Sequence, residues 1–311
     1  MTKVAIIDFK DYDTSVKEVL DLINAGEVLK KQKKIVLKPN LTAALKPPVT
    51  TDVRCIRALL NYIGICNKKA KIIIAEGSGD CDTDEAFQKL GYLELVERYG
   101  VELVDLNDDE VIRLKNPKAL VLKEFYLPKT LKNAFLISVP VLKEHGDDLV
   151  TISMKNLFGI APGSHYGRPG SWLKTKLHSL GVWQSICDLC LYRPIDLAVV
   201  DAALGQYGSH LSEKPPKHPI KTLIAGFDAV AVDSVGAKIL GHDWRDVKHL
   251  KYANGRLGIA DLEKIEIIGK LEEKPNPSRK DRIIASLIRK GRRFTCIPGV
   301  KTVGKAILKR I

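Results

Sequence analysis

The sequence predicts an α/β protein in which strands and helices alternate along the first 269 of its 311 residues. Two observations predict this class. Short apolar runs recur, and most show no alternation of apolar and polar positions, which is typical of strands buried on both faces of a parallel sheet. Amphipathic helical patterns lie between these runs. We therefore expect two α/β lobes with mostly parallel or mixed sheets, which meet within residues 108–150.

The strands are expected in eight apolar runs. In chain order these are Val4–Asp8, Lys34–Asn40, Lys71–Gly79, Val101–Leu106, Ala134–Leu142, Ile195–Ala202, Ile220–Gly226 and Lys264–Gly269. Helices are expected where apolar residues recur at a spacing of three or four. They are Thr14–Leu29, Asp52–Ile63, Asp84–Tyr99, a segment ending near Phe158, His178–Leu191 and Asp228–Leu240. Asp147, Asp148 or Thr151 can cap the helix that ends near Phe158.

The net charge of +13 is unevenly distributed. From Lys270 onward there are 13 Lys and Arg residues against three acidic residues, so residues 1–269 are nearly neutral. A nearly neutral body argues against a basic nucleic-acid-binding domain, and no nucleic-acid motif is visible. No apolar run approaches the roughly 18 residues that span a bilayer, and the first residues do not read as a secretory signal. We therefore expect a cytoplasmic protein.

Residues 270–311 form a basic tail that we expect to be helical. After a linker with two prolines, residues 278–294 place Ile and Leu on one side and Arg and Lys on the other. Short basic amphipathic helices dock on anionic bilayers, so one interpretation of 278–311 is a peripheral contact with the inner membrane surface. A solvated tail is the alternative. Nucleic acid ranks third as a partner, because Phe294 is the only aromatic residue of the tail.

Polar residues that directly follow apolar strands are the first candidates for a binding site, because ligands of open α/β sheets lie beyond the carboxyl ends of the strands. These candidates are Lys38, Asn40, Glu76, Lys143 and His145. Lysine ammonium groups hold carboxylates or phosphates, and imidazoles exchange protons near neutral pH. Each residue also has a structural interpretation. Asn40, for example, follows a proline and can form a turn.

Segment 138–178 concentrates further candidates in otherwise apolar sequence. Lys155 and neighbouring Asn156 lie on the helix expected to end near Phe158, whose apolar stripe must pack against the body. A lysine in such a place costs stability unless its amine finds an anion, a carbonyl or a covalent role. His178 follows a Gly- and Pro-rich loop that is long enough to close over a site. The alternative is that Lys155 extends to water and that His178 is an ordinary surface residue.

These candidates together predict an anion- or metal-handling site. We expect catalytic roles for His145, Lys155 and His178, with His178 as a candidate metal ligand. The expected substrate-binding residues are Lys38, Asn40, Glu76, Lys143 and Asn156. The hypothesis requires that side chains from separate segments of the chain meet in one hollow.

The six cysteines of a chain with no export signal indicate reduced thiols rather than disulfides. Cys187 and Cys190 form one CxxC on an expected helix among apolar residues, which is more typical of buried structural thiols than of a redox site. The other four cysteines lack ferredoxin spacing. We therefore do not expect this chain alone to hold an iron–sulfur cluster.

Six ordered motifs resemble the family catalogued as domain of unknown function 362. They are Lys38–Asn40 (KPN), Ala75–Gly79 (AEGSG), Val139–His145 (VPVLKEH), Thr151–Gly159 (TISMKNLFG), Val199–Ala202 (VVDA) and Phe227–Gly241 (FDAVAVDSVGAKILG). The resemblance covers about residues 4–270. Many members of this family are described as iron–sulfur centre proteins because they carry an appended ferredoxin module. These 311 residues contain no such module.

A second resemblance is to the nickel-pincer lactate racemase superfamily, whose catalytic part has two α/β lobes. In that family a His after a strand precedes, by ten residues, a Lys that tethers the cofactor, and a Gly-rich loop and a nickel-ligating His follow. The corresponding residues are His145, Lys155, Gly159–Gly163 and His178. Lys-Glu rather than Pro precedes His145, and the upstream catalytic His of the family has no counterpart. The resemblance implies the location of a site and not racemase activity.

These observations lead to a principal hypothesis and two alternatives. The principal hypothesis is an enzyme that acts on a small anionic metabolite in a cleft between the lobes, by isomerase- or redox-type chemistry. The cofactor stays open, with nickel or iron as the candidate metals. The first alternative is a redox or assembly partner of a separate iron–sulfur protein, such as a ferredoxin-like protein, held at the membrane by the basic tail. A non-catalytic binding module is the second.

Overall fold

A computed structural model describes residues 2–145, 148–167, 173–207 and 212–273. These ranges contain twelve strands. They are β1 Thr2–Asp8, β2 Lys34–Pro39, β3 Lys71–Glu76, β4 Glu102–Asp105, β5 Val111–Lys115, β6 Glu124–Pro128, β7 Phe135–Val139, β8 Val141–His145, β9 Leu149–Thr151, β10 Leu197–Gln206, β11 Thr222–Gly226 and β12 Ile265–Ile268. All eight apolar runs predicted as strands contain strand structure.

The main sheet has the strand order β12-β1-β11-β10-β7-β2-β3-β4. Every pair along this order is parallel except the two that involve β11, which runs against β1 and β10. β8 pairs with β10 in parallel, and β9 folds back on β8. The carboxyl ends of β2, β3, β4 and β8 therefore lie at one edge of the sheet, where open α/β folds bind ligands.

The described ranges also contain eleven α-helices. They are α1 Tyr12–Leu22, α2 Ala25–Leu29, α3 Val53–Cys66, α4 Thr83–Lys89, α5 Leu93–Tyr99, α6 Ser153–Asn156, α7 Gly163–Tyr166, α8 Thr175–Leu180, α9 Val182–Tyr192, α10 Ala229–Ile239 and α11 Lys248–Ala253. Three short 3₁₀ turns are Lys129–Leu131, Leu157–Ile160 and Leu262–Lys264.

Helices cover both faces of the main sheet. Ile35 and Leu37 of β2 pack in the core that α1 and α3 share, whereas Val36 between them packs in the core that contains α9 and α10. Successive residues of a strand point to opposite faces, so burial of both faces requires the continuous apolar runs seen in the sequence. The mixed α/β class is therefore confirmed.

Three predicted helices are interrupted, so their predicted continuity was wrong. Thr14–Leu29 divides into α1 and α2 at Asn24, whose φ is 54°. Asp84–Tyr99 divides into α4 and α5 near Gly91, and His178–Leu191 divides near Gly181. A residue with positive φ cannot continue a right-handed helix. As a result, His178 lies in α8 and not at the start of the longer helix α9.

The segment from Ala134 to Phe158 also differs from its prediction. Pro140 divides the expected strand into β7 and β8, since proline has no amide hydrogen for a sheet ladder. The helix that was expected to be capped by Asp147, Asp148 or Thr151 begins only at Ser153, because residues 149–151 form β9. The hairpin of β5 and β6 was not predicted.

The two-lobe division near residues 108–150 stays a prediction. Of the basic tail, residues 274–311 lie outside the described ranges, so its helices and its membrane contact also stay predictions. Among the helices described, none has the length and apolar character needed to cross a bilayer.

Candidate functional site

A cavity of about 380 Å³ opens at the carboxyl edge of the main sheet. Seven of the eight predicted site residues line it, namely Asn40, Glu76, Lys143, His145, Lys155, Asn156 and His178. The volume is that of a site for a small molecule. The site hypothesis requires side chains from separate segments of the chain to meet in one hollow, and in the structure side chains from four segments do so.

The eighth predicted residue, Lys38, lies beneath the cavity in a buried ion pair with Glu76, here called the floor pair. Lys38 Nζ is 2.8 Å from Glu76 Oε1 and 3.4 Å from Asn156 Oδ1. The backbone N–H of Leu41 donates to Glu76 Oε2 over 3.0 Å. Burial lowers the pKa of Lys38, and the charge of Glu76 opposes that shift. The ammonium of Lys38 is therefore committed to Glu76.

Gly159 closes the floor pair from above. A Cβ at this position would overlap Glu76 Oε1 and would lie 2.6 Å from Lys38 Nζ. The backbone of the 3₁₀ turn Leu157–Ile160 can approach the ion pair this closely only because the residue has no side chain.

Lys143 on β8 is buried against neutral acceptors. Its Nζ donates to Asn40 Oδ1 over 2.8 Å and to the carbonyl oxygen of Val49. Burial, together with the charge of Lys155, lowers the pKa of Lys143 to about 7. Near neutral pH a large share of Lys143 is thus an uncharged amine. Its two hydrogens match the two acceptors, and its lone pair is left to take a proton.

Lys155 on α6 forms the second ion pair of the site. Its Nζ is 2.9 Å from Asp148 Oδ2, and the same oxygen lies 3.7 Å from His145 Nδ1. Lys155 is only 8% exposed, so the alternative in which this lysine extends to water is wrong. Asp148 holds the charge of Lys155 in place and does not cap a helix.

Asp233 on α10 fixes the backbone that carries Lys155 and Asn156. Its two carboxylate oxygens accept hydrogen bonds from the N–H groups of Ser153, at 2.8 Å, and Met154, at 2.9 Å. Burial raises the pKa of Asp233 to about 7. These two amides belong to the first turn of α6 and have no partner within the helix, so Asp233 anchors its start.

Lys174 is a third lysine of the cavity, and sequence reasoning missed it. Its Nζ donates to Asn107 Oδ1, which also accepts from the N–H of Gly163 over 3.0 Å. The amide nitrogen of Asn107 donates to the carbonyl oxygen of Ser78 and to Thr83 Oγ1. Burial lowers the pKa of Lys174 to about 8. Ligands of open α/β sheets lie beyond the carboxyl ends of the strands, here called the carboxyl-end rule. Asn107 directly follows a predicted strand, so this rule could have found it, but no sequence signal marks Lys174.

His178 lies at the exposed mouth of the cavity. Its Nδ1 is 3.0 Å from the carbonyl oxygen of Lys174, and its ring meets Phe158 edge-on with centroids 5.4 Å apart. Because a carbonyl oxygen can only accept, Nδ1 carries the hydrogen of this bond.

With this geometry in place, comparisons with known proteins identify the family. The model of the domain of unknown function DUF362 matches residues 35–238. The chain belongs to the DUF362 family. All eight predicted site residues lie within the DUF362 match, and so do Asn107 and Lys174. A sequence search of curated proteins finds no match.

The fold is shared with a solved enzyme structure. The lactate racemase apoprotein from Thermoanaerobacterium thermosaccharolyticum superposes with a TM-score of 0.52 at 14% sequence identity. The match covers 77% of the DUF362 chain and 57% of the racemase, so this chain spans little more than half the length of that protein. At this identity the likeness shows a common fold.

The donors at the DUF362 site do not fit a metal centre held by protein side chains alone. Within the described ranges, no group of three His, Cys, Asp or Glu side chains is placed to hold a metal ion. His145 and His178 line the cavity together with the carboxylates of Glu76 and Asp80, and Glu76 is paired with Lys38. A metal needs three or four such ligands. Cys187 and Cys190 are buried thiols on α9, as expected.

Proposed function

We propose that this DUF362 protein is an enzyme that binds a small anionic metabolite in the cavity and transfers a proton on it, an isomerase-type reaction. One observation carries the proposal. Lys143 is a buried amine that faces a cavity of small-molecule size and is surrounded by neutral acceptors and by the positive charge of Lys155. A lysine tuned in this way is a suitable general base near neutral pH.

Lys155 binds the carboxylate of the substrate. Asp148 fixes its ammonium group at the wall, and Asp233 fixes the backbone beneath it. A positive charge in a partly desolvated cavity also stabilises the negative charge that forms on the substrate oxygens when a neighbouring carbon loses its proton.

Lys143 takes that proton. The C–H bond next to the carbonyl or carboxylate breaks, an N–H bond forms on Lys143, and the electron pair moves onto the substrate oxygens. His145 or His178, which line the same cavity, returns a proton to the opposite face or to the neighbouring carbon. Lys143 then releases its proton to solvent, and the histidine takes up a proton from solvent, which completes the cycle.

No step of this scheme depends on a metal. The sequence left nickel and iron as candidate metals. The resemblance to the nickel-pincer superfamily points to Lys155 and His178 as the residues that would hold a tethered cofactor. A group tethered at Lys155 that brings its own donor atoms would take an imidazole nitrogen from His178. Within the described ranges, protein side chains alone do not place three His, Cys, Asp or Glu groups to hold a metal. The redox alternative, with a ferredoxin-like partner and a membrane-bound tail, rests on residues outside the described ranges and gains no support from those within them.

Proton exchange measures the proposed reaction directly. The full chain is incubated in deuterated buffer with small 2-hydroxy and 2-oxo acids, and deuterium uptake on carbon is followed by NMR. We expect uptake with at least one acid, a rate that rises with pH through about 7, and a loss of about 10²- to 10⁴-fold in Lys143→Met. The matched control is Lys251→Met, which removes an exposed lysine of α11.

Two results would refute the proposal. The first is exchange that Lys143→Met leaves unchanged, because that excludes Lys143 as the base. The second is calorimetry in which carboxylates bind equally well to wild type, His145→Ala and Lys155→Ala, because those residues line the proposed binding wall.

A further inference from the structure

The lysines of the cavity differ in the groups that face their amines. Lys155 has a carboxylate partner in Asp148, whereas Lys174 is bonded through Nζ to a neutral amide oxygen. Within the described part of the chain, no carboxylate lies within ion-pair distance of Lys174, although the charges of Glu76 and Asp105 favour its protonated form. Lys174 is 4% exposed. A buried ammonium without a paired anion is unfavourable unless a ligand supplies the negative charge.

Lys174 and Lys143 lie on different sides of the cavity. The Nζ of Lys143 is bound at Asn40, which follows β2, and the Nζ of Lys174 is bound at Asn107, which follows β4. β3 separates those two strands, so the two anchors are about two strand spacings apart, on the order of 10 Å. The space between them is part of the same cavity.

Asn107 sets the direction in which Lys174 can bind. Its carbonyl oxygen takes one hydrogen of the ammonium and the N–H of Gly163, and its amide nitrogen is used by the backbone of Ser78 and by Thr83. An ammonium has three hydrogens, and Asn107 uses one of them. The remaining hydrogens are available to a ligand in the cavity that Lys174 lines.

We infer that Lys174 and Asn107 form a distal anion subsite and that the substrate carries two anionic groups. It is a dicarboxylate or a phosphorylated carboxylic acid of three to six carbons. One anionic group binds Lys155, the carbon that loses its proton faces Lys143, and the second anionic group binds Lys174. This inference rests on the proposed function, because the proximal group is the carboxylate assigned there to Lys155.

Matched pairs of probes test the distal subsite. Binding of glutarate is compared with valerate, succinate with butyrate, and 3-phosphoglycerate with glycerate, by calorimetry on the full chain. We expect at least one dianion, meaning here a probe with two anionic groups, to bind about 10- to 100-fold more tightly than its counterpart with one, the effect of one more charge-assisted contact. Lys174→Met removes this preference, because the second anionic group loses its cation.

Two further variants keep the test decisive if Lys174→Met unfolds. Asn107→Asp has the same shape and places a carboxylate against Lys174, so it also abolishes the preference for dianions. Lys176→Met, which removes an exposed lysine of α8, keeps the preference and is the matched control.

The outcomes separate the two proposals. If monoanions bind in a Lys155-dependent manner but no dianion binds more tightly, the distal subsite is wrong and the proposed function stands. The same conclusion follows if the preference survives both Lys174→Met and Asn107→Asp. If neither kind of anion binds the wild type, the proposed function fails and the distal subsite fails with it.

Discussion

Two buried lysines at the same edge of the sheet have opposite surroundings. Lys38, at the end of β2, lies against the carboxylate of Glu76, while Lys143, on β8, lies against an amide oxygen and a backbone carbonyl. Both are 2% exposed or less, so desolvation acts on both. Burial by itself therefore does not distinguish a structural lysine from a reactive one. The group that faces the amine does, because a carboxylate holds the charge and a neutral acceptor allows its loss.

The largest effect on stability is expected from breaking the floor pair. Lys38→Met leaves Glu76 buried without its cation, and we expect a loss of about 3–5 kcal/mol in the free energy of unfolding. Urea denaturation of the variant and wild type measures this difference. The matched control is Lys71→Met, which removes an ion pair with Glu102 at the surface and is expected to cost less than about 1 kcal/mol.

A second substitution shows whether the pair or merely the lysine matters. Lys38→Met combined with Glu76→Gln removes both charges, so the double variant is expected to be more stable than Lys38→Met alone. If Lys38→Met costs no more than Lys71→Met, the view of Lys38 as a structural cation is incorrect.

A smaller effect is expected from a methyl group placed on the floor pair. Gly159→Ala forces the new Cβ against Glu76 Oε1, and we expect a loss of about 1–3 kcal/mol in stability together with weaker ligand binding, because the same turn lines the cavity. Gly64→Ala is the control, since a Cβ there meets nothing within 4 Å. That control is expected to gain up to about 1 kcal/mol from helix propensity. Equal melting curves for both variants would contradict the close approach at Gly159.

The last effect is a pH dependence that separates Lys143 from Lys38. The pKa of Lys143 is about 7 in the folded protein and about 10.4 in the unfolded chain, so between these values the unfolded chain binds one more proton. Stability therefore rises with pH over this window, by at most about 1.4 kcal/mol per pH unit from this group. Urea unfolding of wild type and Lys143→Met at pH 6.5, 8 and 9.5 isolates the contribution of Lys143 to the pH dependence of stability. Parallel curves for the two proteins would exclude the lowered pKa.

Most of the fold was predictable because buried parallel strands leave a strong signal. Ile35, Val36 and Leu37 are all apolar since each must enter one of two cores, and the same holds for the other central strands. The breaks at Asn24 and Gly91 were not predicted. Whether a residue adopts positive φ depends on how the following helix packs, and asparagine and glycine also occur inside continuous helices. The hairpin of β5 and β6 was not predicted because its strands are partly exposed and contain polar residues.

The site was predictable in location but not in pairing. The carboxyl-end rule found Asn40, Glu76 and Lys143, because that rule needs only the end of each strand. The sequence did not reveal that Lys38 would turn beneath the cavity toward Glu76, since the choice of partner depends on side-chain direction across two strands. Lys174 was missed because its place against Asn107 depends on contacts between segments 67 residues apart.

The position of β1 has a consequence for how this protein is made. β1 lies between β11 and β12, so both of its hydrogen-bonding neighbours are synthesised well after it. More than two hundred residues separate β1 from β11. At ordinary translation speeds this corresponds to a wait on the order of 10 to 40 s. Until β11 is made, β1 lacks both of its neighbours in the main sheet, and β2, β3, β4 and β7 can assemble before it docks.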